Sequence, residues 1–130
     1  MSVSTSMSTL DPPQPPPNCK MHGSELIMDL GGMSFDKLND VDFMCSLLEE
    51  CSKIGRLEIL ARVRHIFSPQ GVTVMFLLST SHITVHTWPE YGTCCFNLFT
   101  CLSDYEFDEI IDYIRRKLEP TAENVRTILR

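Results

Sequence analysis

The feature that most constrains this chain is a row of short strand-like segments joined by turn residues, between residues 57 and 99. Residues 57–67, 72–78 and 94–99 are strand-like runs, and residues 82–88 alternate between polar and apolar side chains. The sequences SPQG (68–71) and PEYG (89–92) combine proline with glycine, which is turn chemistry. Strands joined by such short turns pair antiparallel. The sequence therefore predicts an antiparallel sheet.

Helical periodicity is found on both sides of this row of strands. Before it, apolar residues recur at helical spacing and the pattern stops near Gly55, the set being Leu38, Val41, Met44, Cys45, Leu48 and Cys51. After it, Ser103 and Glu106 form a capping box that predicts a second helix start. The apolar stripe of this helix is Phe107, Ile110, Ile111, Ile114 and Leu118.

Two more strands complete the predicted order β-α-β-β-β-β-α-β. Residues 25–30 precede the first helix, and residues 124–129 follow Pro120, which ends the second helix. The predicted fold class is α+β. We expect a two-layer sandwich, with an antiparallel sheet whose two helices pack on one face and whose other face is free to meet a partner.

The N-terminal segment has a different composition from the rest of the chain. Residues 1–20 are rich in Ser, Thr and Pro and cannot bury enough apolar surface to become ordered, so we predict a disordered tail. Residues 21–130 are predicted to form one globular domain, a size that buries most of its apolar surface. We see no apolar run of membrane-helix length and no signal or transit pattern, which predicts a cytoplasmic protein without a membrane partner.

Charge and cysteine usage narrow the function classes. The net charge of -6 argues against a nucleic-acid partner, because phosphate binding needs a basic surface. The chain has six cysteines without a C-x-x-C pair, a pattern that favours reduced thiols over a disulfide framework or a zinc knuckle.

The strand at residues 82–88 carries the candidate chemistry. Its alternation places His82, Thr84 and His86 on one face, between Ser81 and Glu90 at the two ends. Three interpretations remain open from these residues alone. They are a zinc site completed by Glu90 or Cys101, a polar face with hydrogen-bonded histidines, and nucleophilic chemistry at Ser81 with a histidine as base.

Three sequence strings resemble one known family. They are FSPQGVT (67–73), SHITVHTWPEYG (81–92) and NLFTC (97–101). Together they are similar to the core of the short, bacterial-type S-adenosylmethionine decarboxylases, and the resemblance runs from about residue 23 to residue 129. It implies a proenzyme that cleaves itself between Thr80 and Ser81, so that Ser81 becomes a pyruvoyl group, the cofactor of the reaction.

The resemblance also implies roles for individual residues. His86 is expected to serve the elimination step as acid and base, assisted by Thr73, which stands where the family commonly has a serine. Cys101 is expected to protonate the product carbanion. Phe67 would stack on adenine, and Glu90 would bind the ribose hydroxyls.

The implied reaction is decarboxylation of S-adenosylmethionine for spermidine biosynthesis, through a Schiff base between the substrate amine and the pyruvoyl group. The resemblance implies a homodimer of cleaved protomers, and we predict no metal site. The chain departs from the family at Thr80, which replaces the usual glutamate and bears on self-processing, and at Cys94 and Cys95, which replace small residues. Two alternatives remain: an unprocessed, inactive homologue acting as a regulatory or structural subunit, and a decarboxylase of another amino acid such as arginine or ornithine.

Overall fold

The computed structural model of the protein describes residues 22–130, and the tail predicted for residues 1–20 lies outside the described residues. The described part contains six strands, three helices and a 3-10 turn. In chain order these are β1 (Ser24–Gly31), α1 (Phe35–Leu38), α2 (Val41–Ile54), β2 (Ile59–Ile66), β3 (Val72–Leu78), β4 (Ser81–Trp88), the 3-10 turn (Pro89–Tyr91), β5 (Thr93–Thr100), α3 (Asp108–Leu118) and β6 (Ala122–Leu129).

All six strands form one sheet in the order β2-β3-β4-β5-β1-β6. Every neighbouring pair is antiparallel. The predicted α+β sandwich, with an antiparallel sheet and helices, is confirmed. None of the helices in residues 22–130 is both long enough and apolar enough to cross a membrane.

The core lies between the helices and one face of the sheet, which we call the covered face. Alternate residues of the central strands point to this face and are almost fully buried, among them Leu26, Met28, Val74, Phe76, Ile83, Val85, Phe96 and Leu98. They pack with apolar residues of the two long helices in one hydrophobic cluster, such as Met44, Leu48, Ile110 and Ile114. Burial of each large apolar side chain contributes about 1.5–3 kcal/mol, so this layer fixes which residues face inward.

The first predicted helix is in fact two helices. Leu38 ends α1, and α2 begins at Val41. Asp40 separates them because its side chain accepts a hydrogen bond from the Phe43 backbone N–H at 3.0 Å, which makes Asp40 the N-cap of α2. The predicted periodicity ran across this break because Leu38 is buried in the same core as α2.

The capping box predicted at Ser103 and Glu106 is wrong. Helix α3 begins at Asp108, and its N-cap, Phe107, makes no side-chain cap hydrogen bond. The chain before it is held by tertiary contacts: Phe107 is buried, and the Tyr105 hydroxyl donates to the Gly55 carbonyl at 2.7 Å. These contacts delay the start of the helix. The apolar stripe predicted for the helix is buried as expected.

The opposite side of the sheet, which we call the open face, is made by the intervening residues. Its central members are Ile27, Asp29, Met75, Leu77, His82, Thr84, His86, Cys95 and Asn97. Met75 and Leu77 are 46% and 55% exposed. The residues lie over a groove of about 640 Å³. The open face therefore combines apolar surface with polar groups that have no role in the core.

Candidate active site

The predicted cleavage position lies in the turn between β3 and β4. Leu78 and Ser81 are register partners, so Ser79 and Thr80 alone connect the two strands. Thr80 has a φ of 56°, a left-handed conformation that is unfavourable for a β-branched residue. The peptide bond between Thr80 and Ser81 thus follows a strained residue. Such strain costs about 1–3 kcal/mol and is frequent at functional sites.

Ser81 and Cys101 lie together at this end of the sheet. The Ser81 side chain is directed toward the covered face and is only 7% exposed. Its hydroxyl oxygen accepts a hydrogen bond from the Cys101 backbone N–H at 3.2 Å. Strand β5 ends at Thr100, so Cys101 is the first residue after it and is partly exposed. The structure therefore brings these two predicted residues into contact.

Thr73 and His86 form a second contact, on the open face. They are register partners on β3 and β4, and the Thr73 hydroxyl and Nδ1 of His86 are hydrogen bonded at 2.8 Å. The Thr73 hydroxyl is thus in direct contact with the histidine that it was predicted to assist, and the role of the pair stays a prediction. Since one ring nitrogen is engaged in this bond, the histidine ring is oriented, and Nε2 is left to serve another group.

Phe67 and Glu90 lie at the same end of the sheet as His86. Phe67 precedes β3, is 49% exposed and packs edge-on against His65, with ring centroids 4.5 Å apart. Glu90 lies in the 3-10 turn that directly follows β4 and is exposed. An accessible aromatic ring and an accessible carboxylate therefore accompany the His86 pair.

The two groups of predicted residues do not meet within one chain. Ser81 and His86 are five positions apart on β4, and a strand rises by about 3.3 Å per residue, which separates them by roughly 16 Å. Their side chains also belong to opposite faces, since alternate residues of a strand point in opposite directions. His86 of this chain therefore does not reach the peptide bond before Ser81.

A groove beside this second group was not predicted. It has a volume of about 680 Å³ and is flanked by Trp88 and Tyr91, which are 43% and 74% exposed. Gly31 on β1 and Ala122 on β6 line the groove and take up little of its space, and Asp29 adds a carboxylate. The Trp-Pro-Glu-Tyr string was visible in the sequence. The neighbouring strands β1 and β6 were not visible as part of the same groove.

A polar network across three strands was also missed. Nε2 of His82 and Oδ1 of Asn97 lie 2.8 Å apart, and Nδ2 of Asn97 lies 2.8 Å from Oε2 of Glu25. The alternation of β4 identified His82 as an open-face residue. Its partners depend on the strand register, which connects residues 72 positions apart in the chain.

The neighbouring thiols of Cys94 and Cys95 differ in environment. Burial on the covered face raises the pKa of Cys94. Cys95 is half-buried on the open face, and its pKa is raised by burial and by the Asp29 carboxylate, partly offset by a backbone hydrogen bond from His86. In residues 22–130, no cluster of three or more His, Cys, Asp or Glu side chains has metal-binding geometry.

Comparison with known proteins identifies the family. The sequence pattern described as S-adenosylmethionine decarboxylase matches residues 24–130. The chain is 33% identical to an S-adenosylmethionine decarboxylase proenzyme of Clostridium botulinum (strain Loch Maree / Type A3), over 85% of this chain and 96% of that protein. A proenzyme of the same name from Thermoplasma volcanium is 33% identical over 83% of both chains.

A solved structure agrees with this assignment. The crystal structure of the adenosylmethionine decarboxylase from Aquifex aeolicus superposes with a TM-score of 0.76 at 31% sequence identity, covering 85% of this chain and 91% of that one. The sequence pattern, the relatives and the shared fold all cover the strands that carry the predicted site residues. The chain belongs to the S-adenosylmethionine decarboxylase family.

Proposed function

We propose that this protein decarboxylates S-adenosylmethionine to supply spermidine biosynthesis, after it has cleaved itself between Thr80 and Ser81. The observation that carries the proposal is the environment of the Ser81 hydroxyl in a chain of this family. Ser81 follows Thr80, which has a strained conformation at the turn of a tight hairpin. The Cys101 backbone N–H donates a hydrogen bond to the Ser81 hydroxyl.

The cleavage uses only atoms of the chain and water. The Ser81 hydroxyl attacks the Thr80 carbonyl carbon, the C–N bond breaks, and the amide becomes an ester with a free amino group at residue 81. Removal of the Ser81 α-proton then breaks the bond between Cβ and Oγ, which releases Thr80 as a carboxylate and leaves dehydroalanine. Hydrolysis of the enamine gives the pyruvoyl group and ammonia. Release of the φ strain at Thr80 favours the first step.

The residues around Ser81 suit a pyruvoyl group. The Cys101 N–H, which donates to the serine oxygen, is available to an oxygen at this position. When present, a pyruvoyl group supplies an electrophilic carbonyl that accepts the electron pair released by decarboxylation.

The remaining predicted residues would serve either proton transfer or substrate binding. Cys101 is the first residue after β5. Its thiol would donate a proton to the product carbon as a general acid. Phe67 would stack on adenine, and Glu90 would accept hydrogen bonds from the ribose hydroxyls. A sulfonium centre near an aromatic ring gains about 0.5–2 kcal/mol from cation–π attraction.

The proposed assembly is a homodimer whose active sites combine residues of both copies. Two facts support it: Ser81 and His86 are about 16 Å apart along one strand, and apolar side chains such as Met75 and Leu77 are exposed on the face that carries His86. Exposed apolar patches of this kind mark association surfaces. Packing of a second copy on the open face would bury them and supply the Thr73–His86 pair in trans.

The experiment that tests the proposal is the intact mass of the purified protein under denaturing conditions. We expect an 80-residue and a 50-residue chain, the second lacking a free amino terminus. Ser81→Ala should give one uncut chain, whereas the matched control Ser79→Ala should be cut, because its hydroxyl is not adjacent to the scissile carbonyl. A wild-type chain that stays uncut after long incubation would contradict the proposal and leave an unprocessed subunit.

Substrate choice is tested on the cleaved protein by release of carbon dioxide from carboxyl-labelled amino acids. We expect release from S-adenosylmethionine and not from arginine or ornithine, because neither offers an adenine and ribose for Phe67 and Glu90. Release from arginine or ornithine alone would assign a different substrate to the same cleaved site.

A further inference from the structure

A row of three hydrogen-bonded side chains crosses the open face beside the cleavage position. It consists of Glu25 on β1, Asn97 on β5 and His82 on β4, with both hydrogen bonds at 2.8 Å. Because a carboxylate only accepts, the Asn97 amide nitrogen donates to Glu25 and its carbonyl oxygen faces His82. Nε2 of His82 is therefore the donor to Asn97. Arg130 extends the row, at 3.5 Å from Glu25 and over the ring of Phe99.

The position of this row relative to the cleavage site indicates a role that its polar side chains alone would not indicate. His82 is the residue directly after Ser81, so it would be the second residue of the new chain once the bond before Ser81 is cut. Asn97 lies on the same new chain, whereas Glu25 lies on the upstream chain. The row would thus connect the first side chain after the reacting group to both products of the cut.

Cleavage removes other restraints on this end of β4. The turn of Ser79 and Thr80, which joins β3 to β4, would be opened. Residue 81, which pairs with Leu78, would lose its backbone N–H when it becomes a pyruvoyl group. Chain ends that lose a turn and a hydrogen-bond donor fray unless something else holds them. In the uncut chain the covalent turn holds this end of β4, so the side-chain row is not needed for that purpose.

We propose that Glu25, Asn97 and His82 are positioning residues that hold the new end of β4, and with it the reacting group, in place after cleavage. They do not act on the substrate themselves. The inference rests on the proposed function, because it concerns the cleaved chain. It predicts that losing the row matters in the cut protein and hardly matters in the uncut one.

Hydrogen exchange followed by mass spectrometry tests this prediction in residues 82–86. In the cleaved protein, His82→Leu should speed amide exchange there by about five- to tenfold, the loss expected for a hydrogen bond of ordinary strength. His82→Gln should restore slow exchange, because its amide nitrogen can donate to Asn97 as Nε2 does. In the uncut Ser81→Ala background, His82→Leu should change exchange by less than about twofold.

Steady-state kinetics supply a second readout. Loss of positioning lowers the fraction of correctly placed reacting groups, so His82→Leu should lower kcat and leave KM nearly unchanged. Equal acceleration of exchange in cut and uncut protein would reduce the row to an ordinary structural contact and overturn the inference, as would no acceleration in either. An intact mass that shows no cleavage of the wild-type chain would instead remove the proposed function, and this inference with it.

Discussion

The two faces of the sheet consist of alternate residues of the same strands and yet have different tasks. On β4, Ile83 and Val85 point to the covered face and are 1% and 0% exposed, whereas His82 and His86 point to the open face and bind polar partners. The same division appears on β5 between Phe96 and Asn97. A single step along a strand therefore separates residues that determine the fold from residues available for chemistry and association.

The same division separates two of the predicted site residues within one chain. Ser81 is the exception on β4, because it is a candidate reacting residue that points to the covered face, at the first position of the strand, where it is 7% exposed. His86 points to the open face. In the proposed homodimer, His86 of a second copy packed on the open face would approach the bond before Ser81 at the hairpin end of β4.

The largest effect is expected from mixing two inactive variants. Ser81→Ala removes the nucleophile and His86→Ala removes the acid-base group, so each variant alone should remain uncut. If the faces of two copies form each site, co-expression should restore cleavage of the His86→Ala chains, because a Ser81→Ala partner supplies His86. Intact mass reports the fraction cut. Absence of cleavage in the mixture, with both single variants folded, would show that each chain uses its own histidine.

Thiol labelling compares the two faces at adjacent positions. Cys94 is buried on the covered face with a raised pKa, so it should react only when the protein opens. Cys95 should react at least about a hundredfold faster in dilute protein, and this rate should fall as the concentration rises and a second copy covers the open face. Peptide mapping after labelling with iodoacetamide at pH 8 gives both rates. Equal rates at low concentration would contradict the division.

Truncation of adjacent side chains on β3 compares the faces energetically. Phe76→Ala should lower the free energy of unfolding by about 3–5 kcal/mol, because Phe76 is 1% exposed and its removal leaves a cavity. Leu77→Ala should cost less than about 1 kcal/mol in single chains and should weaken dimer formation instead. Urea unfolding and sedimentation measure the two effects. A loss of stability at Leu77 as large as that at Phe76 would indicate a second core on the open face.

The smallest effect is expected at the turn of Ser79 and Thr80, which joins β3 to β4. In the uncut Ser81→Ala background, Thr80→Gly should raise the free energy of unfolding by about 0.5–1 kcal/mol, since glycine adopts the φ of 56° without strain. Ser79→Gly is the matched control and should not stabilise, because Ser79 does not have a positive φ. A destabilised Thr80→Gly protein would show that the turn is not strained.

Most of the fold followed from local patterns in the sequence. The strand at residues 72–78 was predicted with its observed limits, and the other strands within one or two residues, because alternation and turn residues are local signals. The N-cap of α3 was predicted at Ser103, four residues before the observed N-cap Phe107, since the contact of Tyr105 with Gly55 spans 50 positions and outweighs the local capping signal.

The site was less accessible to prediction than the fold. Sequence strings identified Ser81, His86 and Cys101 as candidates, but their roles remain proposals. Alternation alone would have placed Ser81 and His86 on opposite faces. The contacts of Asn97 with His82 and Glu25, and the hydrogen bond from Cys101 to Ser81, depend on strand register, which no local pattern specifies.

The strand order affects how the cleaved protein would unfold and refold. A cut after Thr80 would assign β1, β2 and β3 to one product and β4, β5 and β6 to the other, and in the sheet β1 lies between β5 and β6. The two products would be interleaved and unable to separate without breaking three strand pairs. Refolding would then change from a unimolecular to a bimolecular reaction, so the molecule would fold once as a single chain and afterwards persist through slow unfolding.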